Sequence, residues 1–522
     1  MLVSLFNDVI GPVMRGPSSS HCAAALRIGR LTLDLMGGDL ASVLIEYDRQ
    51  GSLATTHESQ GSDMGLFGGL LGWEATDERL PASPLLIREA GIDVRIEIAD
   101  TGDDHPNTYR LTVGNTREHH TVVAVSTGGG MVEIIEIDGV SLSVCGDYWE
   151  TLVWVEGATD LDLESLAPPL AADEVLAHAQ EAGHLLQIKA QHPILDGDLD
   201  ALPGTVIRTR RLAPVLPVLS RGAMAVPFST CDEMFACDGN SDSPLWLLAL
   251  NYESARGALP AGDVSARMAA IVRTMRSSIE EGIAGTEYED RILGCQSGQF
   301  HELMQQGRLL DAGMLNRIVL YVTALMEVKS AMGVIVAAPT AGACAALPGA
   351  CVGAADSLGL GDDDIAKAML AGGLIGIFIA TRSTFAAEVC GCQAECGAAS
   401  GMAAAALCSL GGGTARQCVT AASMALQNSL GMICDPVANR VEVPCLGKNV
   451  MAAGNALSSA NLALAGFDPV VSLDEVIETM DRVGRSLPRD LRCTGLGGLS
   501  VTSASRAIEQ RLGQTGAKAR PH

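Results

Sequence analysis

Through the first 155 residues, apolar and polar side chains alternate in short bursts rich in β-branched residues. Successive side chains of a strand face opposite ways, so this pattern predicts strands at 42–47, 92–98 and 121–125. Between them, 23–36 carries apolar residues at helical spacing, and the mixture predicts an α+β domain over residues 1–155. From 224 to 505 the period changes. Apolar and small residues recur three and four apart, predicting helices at 265–281, 313–331, 362–380, 397–410, 414–430, 446–465 and 472–483, with Gly and Pro at their ends. The fold class expected is therefore multidomain, an N-terminal α+β domain followed by a C-terminal all-α helical domain. The intervening 156–223 is acidic and Pro-containing. It reads as a linker or small βα module, with an amphipathic helix near 173–182 and strand-like pieces near 185–190 and 205–210. The stretch 506–522 is a polar tail expected to fray. No fixed-period repeat is visible, which argues against a solenoid.

Length and composition sharpen this picture. At 522 residues the chain exceeds the size at which one core keeps growing. Hydrophobic residues make up 48% but aromatics only 3%, and with 58 glycines this predicts closely approaching Ala/Gly-rich helices. A formal charge of −26 argues against nucleic acid or an anionic membrane as partner, since both need clustered Lys and Arg. A small solute is expected instead. The longest apolar run, 368–380, is too short to span a bilayer, is flanked by Lys367 and Arg382, and reads as a buried core helix. The first residues lack the basic region, apolar run and cleavage site of a secretory signal, so a cytoplasmic location is expected. Fifteen cysteines in a reducing compartment are no disulfide framework, which leaves burial or metal ligation.

Three cysteines stand out by their surroundings: Cys392 in a Gly-flanked turn, and the pair Cys434 and Cys445, separated by a segment that Pro436 and Pro444 keep from continuing a helix. A loop folding back there would point two thiolates at one centre, with Cys392 as a third. Soft thiolates suit an iron–sulfur cluster or zinc, and ordinary buried cysteine is the alternative for each taken singly.

The strings Ala338-Pro-Thr-Ala-Gly-Ala-Cys344, Gly391-Cys-Gln-Ala-Glu-Cys-Gly397 and Cys434-Asp-Pro-Val-Ala-Asn-Arg-Val-Glu-Val-Pro-Cys445 resemble the α-portion of the iron–sulfur-dependent L-serine dehydratases. Gly16-Pro-Ser-Ser-Ser-His21 and Ser126-Thr-Gly-Gly-Gly130 resemble signatures of their β-portion. The likeness covers about residues 1–155 and 224–505, with the motifs in the family's order. It implies a [4Fe–4S] cluster held by Cys392, Cys434 and Cys445, one iron left without a protein thiolate, L-serine as substrate, and a homodimer. An open iron acting as Lewis acid on the β-hydroxyl would allow elimination to an enamine, which hydrolyses to pyruvate and ammonia. Some family members end in a cysteine that caps the free iron, whereas this chain ends Arg520-Pro-His522. Cys344, Cys390, Cys396 and Cys493 fall off the ligand positions and are expected to pack around the site, with Cys396 the substitute ligand of choice.

Other candidates follow from residue chemistry beside the same resemblance. Ser18, Ser19, Ser20 and His21 precede a helix and could cradle a carboxylate there, or simply cap it. Lys448 and Asn449 follow Cys445, where the family tends to carry Arg-Asn, and are candidates to bind the substrate carboxylate. The family motif Gly-His-(Gly or His)-Thr-Asp is here Ser59-Gln60-Gly61-Ser62-Asp63. Gln60 cannot accept a proton near neutral pH, so His57 and His21 become the candidate bases, with Asp63 as an orienting group and Ser62 in substrate binding. Gly128-Gly129-Gly130 lacks the spacing of a dinucleotide fingerprint and is not read as a nucleotide site. The substitution at Gln60 keeps two rivals in view: an eliminase for threonine, cysteine or a larger hydroxy amino acid, and a non-catalytic amino-acid or redox sensor. A zinc site is a third.

Overall fold

A computed structural model describes residues 2–157, 162–180, 183–239 and 242–518. The N-terminal half is built on helix α1 (Ala24–Leu35), strand β1 (Ser42–Asp48), helix α2 (Ser62–Leu70) and strands β2 (Asp93–Ala99), β3 (Thr108–Gly114), β4 (His119–Gly128), β5 (Met131–Ile137) and β6 (Val140–Val144). The six strands form one sheet in the order β2-β1-β3-β4-β5-β6. Only β1 and β2 run parallel; the other neighbours are antiparallel. One face buries Val43, Ile45, Leu111, Val122 and Ile134 against Ile28, Leu31 and Leu35 of α1 and Leu66 and Leu70 of α2. The expected strands and the helix at 23–36 are all present. The strands β3, β5 and β6 were not anticipated, because short apolar runs carry little periodic signal by themselves.

Strands β7 (Trp149–Glu156), β8 (Ala172–Gln180), β9 (Gly183–Ala190) and β10 (Thr205–Leu212) make a second, antiparallel sheet in the order β10-β7-β9-β8. Strand alternation divides its side chains between two cores. Leu152 and Leu185 join the six-stranded half, whereas Val153, Val155, Leu186 and Ile188 form a separate core with Leu170, Ile194 and Leu202. The expected pieces at 185–190 and 205–210 are strands, but the helix expected near 173–182 is not a helix. Its described part pairs with β9 from Ala172↔Ala190 to Gln180↔Gly183. Helix-favouring Ala, Glu and Leu are overruled there by pairing along the edge that β9 offers; residues 181 and 182 lie outside the described residues.

The C-terminal half is helical: α3 (Leu245–Gly257), α4 (Ala261–Ala284), α5 (Met314–Ser330), α6 (Ala346–Leu358), α7 (Asp362–Arg382), α8 (Cys396–Leu410), α9 (Ala415–Gln427), α10 (Cys445–Leu464), α11 (Leu473–Ser486) and α12 (Ser503–Lys518). Thr414 and Ser472 cap α9 and α11 with their side chains, each with a reciprocal bond from the third helical residue. Helix α8, buried from Cys396 to Cys408, packs against α6, α7, α9 and α10. The apolar run within α7 is buried in the same core. The tail expected to fray instead forms α12 as far as Lys518, and the terminal Arg520-Pro-His522 lies outside the described residues.

The first residues of the chain pack into the helical half. Leu5, Phe6, Val9 and Ile10 join its core, Ser4 Oγ and Leu5 N donate to Glu253 at 2.6 and 2.7 Å, and Val13–Met14 pairs antiparallel with Ile335–Val336. Helices α1 and α2 meet almost backbone to backbone. A Cβ on Gly69 would lie 2.1 Å from Leu26 O, and one on Gly65 would lie 2.0 Å from Cys22 O. Replacing Gly69 by Ala should therefore destabilise the first unfolding transition by about 1–3 kcal/mol, since the clash with backbone outweighs alanine's better helix propensity. Urea titration of the variant checks this, and a midpoint at or above wild type would contradict the close approach.

Candidate active site

Five cysteines gather in the helical half at the loops that face the N-terminal sheet. Cys392 follows Gly391, whose φ of +71° turns the chain out of the short helix Ala387–Cys390. Cys396 opens α8, Cys434 lies in the loop before α10, Cys445 begins α10, and Cys493 lies beyond α11. The loop between Cys434 and Cys445 folds back as expected, closed by Val437 N donating to Val443 O at 2.8 Å. Backbone bonds tie the remaining pieces to it. Gln393 N donates to Met432 O at 3.0 Å, Cys434 N to Leu491 O at 2.8 Å and Cys493 N to Cys434 O at 3.1 Å.

All five thiols are at most 5% exposed, and all fifteen cysteines of the chain are unbridged. Cys392 Sγ lies 3.8 Å from Cys396 Sγ, and the Cys434 thiol is in hydrogen-bond contact with both Cys392 and Cys493. Cys445 stands apart from these contacts, packed with the main helical core and linked to Cys392 through charge. Hydrogen bonds from Cys396 and Cys434 draw the Cys392 thiol well below the ordinary range, helped by the Lys448 charge. Their bond to Cys392, together with burial, pushes the Cys396 and Cys434 thiols well up. Among the described residues, no three His, Cys, Asp or Glu side chains are arranged to chelate one metal ion. The Cys392, Cys396, Cys434 and Cys493 sulfurs lie in mutual contact nonetheless, a set of soft donors.

The facing surface carries the N-terminal candidates. Ser18 caps the turn Ser19–Ala23, accepting from His21 N, and its Oγ lies 3.0 Å from His21 Nδ1. Ser19 Oγ accepts from Ala341 N of the helical half at 3.2 Å, and Ser20 is buried beside it. His21 is fully buried between Ser18 and Thr56, whose Oγ1 is 2.9 Å from Nε2, with Glu388 Oε1 3.6 Å from Nδ1. Burial, with the nearby His57 charge, lowers the His21 pKa to about 3, so the ring is neutral at neutral pH. Burial likewise raises the Glu388 carboxyl above the usual carboxylate range. His57 is different. Asp63 holds its Nδ1 at 2.8 Å and also accepts from Tyr47 OH at 3.4 Å. Burial opposes charging of His57, but the bond and charge of Asp63 prevail and raise its pKa. Ser62 is fully buried and receives Tyr109 OH at 3.0 Å, which gives it a packing role rather than an open one. Gln60, where the family histidine would stand, directs Nε2 to Cys493 Sγ at 3.7 Å.

Lys448 and Asn449 make their hydrogen bonds within the nest. Lys448 Nζ reaches Ile433 O at 2.7 Å and Asp435 Oδ1 at 2.9 Å. Asn449 spends its amide on Gly342 O at 2.8 Å and Cys445 O at 2.9 Å, and its Oδ1 accepts from Ala346 N at 3.0 Å. Sequence reasoning missed three neighbours. Glu395 accepts from Thr340 Oγ1 at 2.7 Å and lies 3.9 Å from Cys392 Sγ; burial and the Cys392 charge keep its carboxyl protonated well above the usual range. Lys329, fully buried in α5, donates to Val441 O and places a cation near Cys445 and Cys344. A lone lysine in an apolar helix was its one visible signal. Glu388 was visible only as an acid shortly before Cys392. Cys344 lies in the helical core and Cys390 faces Asp481 at 3.8 Å, in the packing roles expected of them.

The glycine-rich Ser126-to-Gly130 stretch is the β4–β5 hairpin turn. Gly128, at φ +106°, lies against Ala386, where a Cβ would come within 3.0 Å. Ser126 Oγ, buried in this turn, has no hydrogen-bond partner among the described residues. The loop is thus a contact between the halves, resting on Ala386 shortly before the acid Glu388 and the Cys392 turn.

Residues 172–500 match the family described as serine dehydratase alpha chain. This chain belongs to that family. It is 35% identical over 250 residues to the probable L-serine dehydratase alpha chain of Bacillus subtilis, covering 48% of this chain and 83% of that one. The probable beta chain from the same organism is 37% identical over 146 residues, 28% of this chain and 66% of its own length. L-serine dehydratase 1 of Escherichia coli is 27% identical over 516 residues, 96% of this chain and 99% of its own. The chain is therefore a fusion of beta-like and alpha-like parts.

The His57–Asp63 pair generates a pH prediction. A pKa raised by folding means that the pair's stabilisation is complete below the ordinary value of 6.5 and is lost as pH rises through the folded value. The stability difference between wild type and His57→Gln should shrink as pH is raised above 6.5. Denaturant titrations at several pH values test it; a difference that grows with pH would contradict the pairing.

Proposed function

We propose that this enzyme deaminates L-serine to pyruvate and ammonia, using a [4Fe–4S] cluster held by Cys392, Cys434 and Cys445. One observation carries the reading: thiols from separate loops, brought together by the fold, share a buried nest on the surface that meets the serine-rich N-terminal elements. Kinship with the L-serine dehydratases supports the substrate. When bound, the cluster supplies a Lewis acid for the β-hydroxyl, a poor leaving group otherwise.

The chain's own residues do the rest. Lys329 and Lys448 place positive charge beside a thiolate-rich centre and offset its negative charge. Ser126, with its unpartnered hydroxyl, offers a hydrogen bond to the substrate at the contact between the halves. Asp63 raises the His57 pKa, which favours the charged ring and suits it to a carboxylate. We assign His21 to receive the α-proton; it is neutral at neutral pH, and its contact with Ser18 or Thr56 must give way to substrate, with the burial that depresses its pKa relieved at the same time, for a ring nitrogen to act as base. Loss of that proton and of the β-hydroxyl leaves an enamine, whose hydrolysis to keto acid and ammonia needs no protein group. Burial of the whole constellation excludes bulk water during elimination.

Anaerobically reconstituted wild type should contain iron and sulfide and release pyruvate from serine, while Cys434→Ala should lose both cofactor and turnover. Full activity in that variant would overturn the ligand set. His21→Asn should lower kcat by about 10²–10⁴-fold with the cluster retained, and His57→Asn should act mainly on KM. A substrate screen decides specificity. Faster keto-acid release from threonine, cysteine or a larger hydroxy amino acid would replace serine, and tight ligand binding without turnover would indicate a sensor.

A further inference from the structure

Arg27 of α1 is a cation buried without a counter-ion. It is 6% exposed. Its one hydrogen bond among the described residues runs from Nη1 to Gly130 O at 2.5 Å, and no carboxylate there closes an ion pair with it. Asp8 acts on it only through space, its own Oδ2 accepting Ser4 N at 2.8 Å. Burial lowers the Arg27 pKa to about 10, which leaves the side chain charged at neutral pH. A desolvated charge of this kind is costly until an opposite charge reaches it.

Arg27 lines a cavity of about 530 Å³, the size of a small-molecule site, and none of the cysteine nest takes part in it. It lies where the first residues of the chain, α1, the segment 214–217 and α4 meet, and Phe6, Leu26, Val215 and Ile271 are among its mostly apolar walls. Two further arginines stand at it. Glu74 pairs with Arg30 and cancels its charge, whereas Arg267 Nη1 donates to a backbone carbonyl, Pro217 O, at 2.8 Å. The cavity therefore keeps an excess of positive charge in apolar surroundings, within a chain whose formal charge is −26.

We infer that this cavity binds a small organic carboxylate with an apolar body. The carboxylate accepts from the guanidinium of Arg27, whose planar fork matches it, and the hydrocarbon part covers the apolar walls. Inorganic phosphate would leave those walls unused. Arg27 also holds the β4–β5 turn through Gly130 O, and the same turn carries Gly128 against Ala386 and the unpartnered hydroxyl of Ser126. An anion drawing on Arg27 is thereby felt at the contact between the halves. Binding does not depend on the function proposed above; its effect on turnover does.

Calorimetry on the full chain tests this with hexanoate, butanoate, hexanamide and inorganic phosphate. Hexanoate should bind about tenfold more tightly than butanoate, because it buries two more methylenes, and the uncharged hexanamide should show no measurable binding. Ala270→Phe, at an exposed residue of the lining, should abolish hexanoate binding while serine turnover without hexanoate stays at the wild-type level. Arg27→Gln should abolish binding too, and if that variant fails to fold, Ala270→Phe decides. Saturating hexanoate should change serine turnover by about fivefold or more in wild type and leave Ala270→Phe unaffected. Phosphate or hexanamide binding as tightly as hexanoate would overturn the proposal. So would undiminished hexanoate binding in Ala270→Phe, and competition with serine in that variant would place the ligand in the active site instead. Tight binding with unchanged turnover keeps the site and overturns the coupling through Gly130. A wild type that does not turn over serine would count against the proposed function and leave the calorimetric result standing.

Discussion

A buried thiol has few ways to be satisfied, and this protein buries four of them in one place, with Cys445 packed in the adjoining helical core. Packed among themselves, they share protons unequally: Cys392 is pulled toward the thiolate while Cys396 and Cys434 are held as donors to it. Two lysines drawn into the surrounding helices and loops would be costly anywhere else in an apolar bundle. Here they face the place where negative charge gathers. The acids nearby obey the same logic in reverse, and burial raises the carboxyls of Glu388 and Glu395 above the usual range. Much of the local architecture is an answer to that electrostatic problem: Asn449 threaded between Gly342 and Cys445, and Lys448 tethering the Cys434 loop.

The site depends equally on how the halves are joined. The first residues are buried in the helical core, and a two-residue strand pair fastens Val13–Met14 to the segment leading into the Thr340 turn. Further along, Ser19 receives Ala341 N, Gly128 rests on Ala386, and Arg440 reaches Ser59 O at 3.3 Å. These contacts ring the cysteine loops. They seat a serine-lined surface opposite the sulfur atoms and leave His21 without water. The glycine-rich turn earns its composition by close approach to protein rather than to a nucleotide.

The sequence by itself determined the class of the fold and most of the helices of the C-terminal half, because a 3.6-residue apolar period is a local property that needs no partner to be seen. It also picked out Cys392, Cys434 and Cys445 through motifs, and the prolines that turn the Cys434 loop back. What the tertiary structure decided is everything that depends on residues distant in the chain. Sheet pairing made a strand of 172–180 against its own helix propensity, since an available edge outweighs a weak intrinsic preference. Long-range packing drew Lys448 and Asn449 into the nest, lowered the His21 pKa, and set Gln60 against Cys493 across 433 residues. Periodicity reports which face of an element is buried; only folding decides what lies across from it, and that is where the chemistry of this site resides.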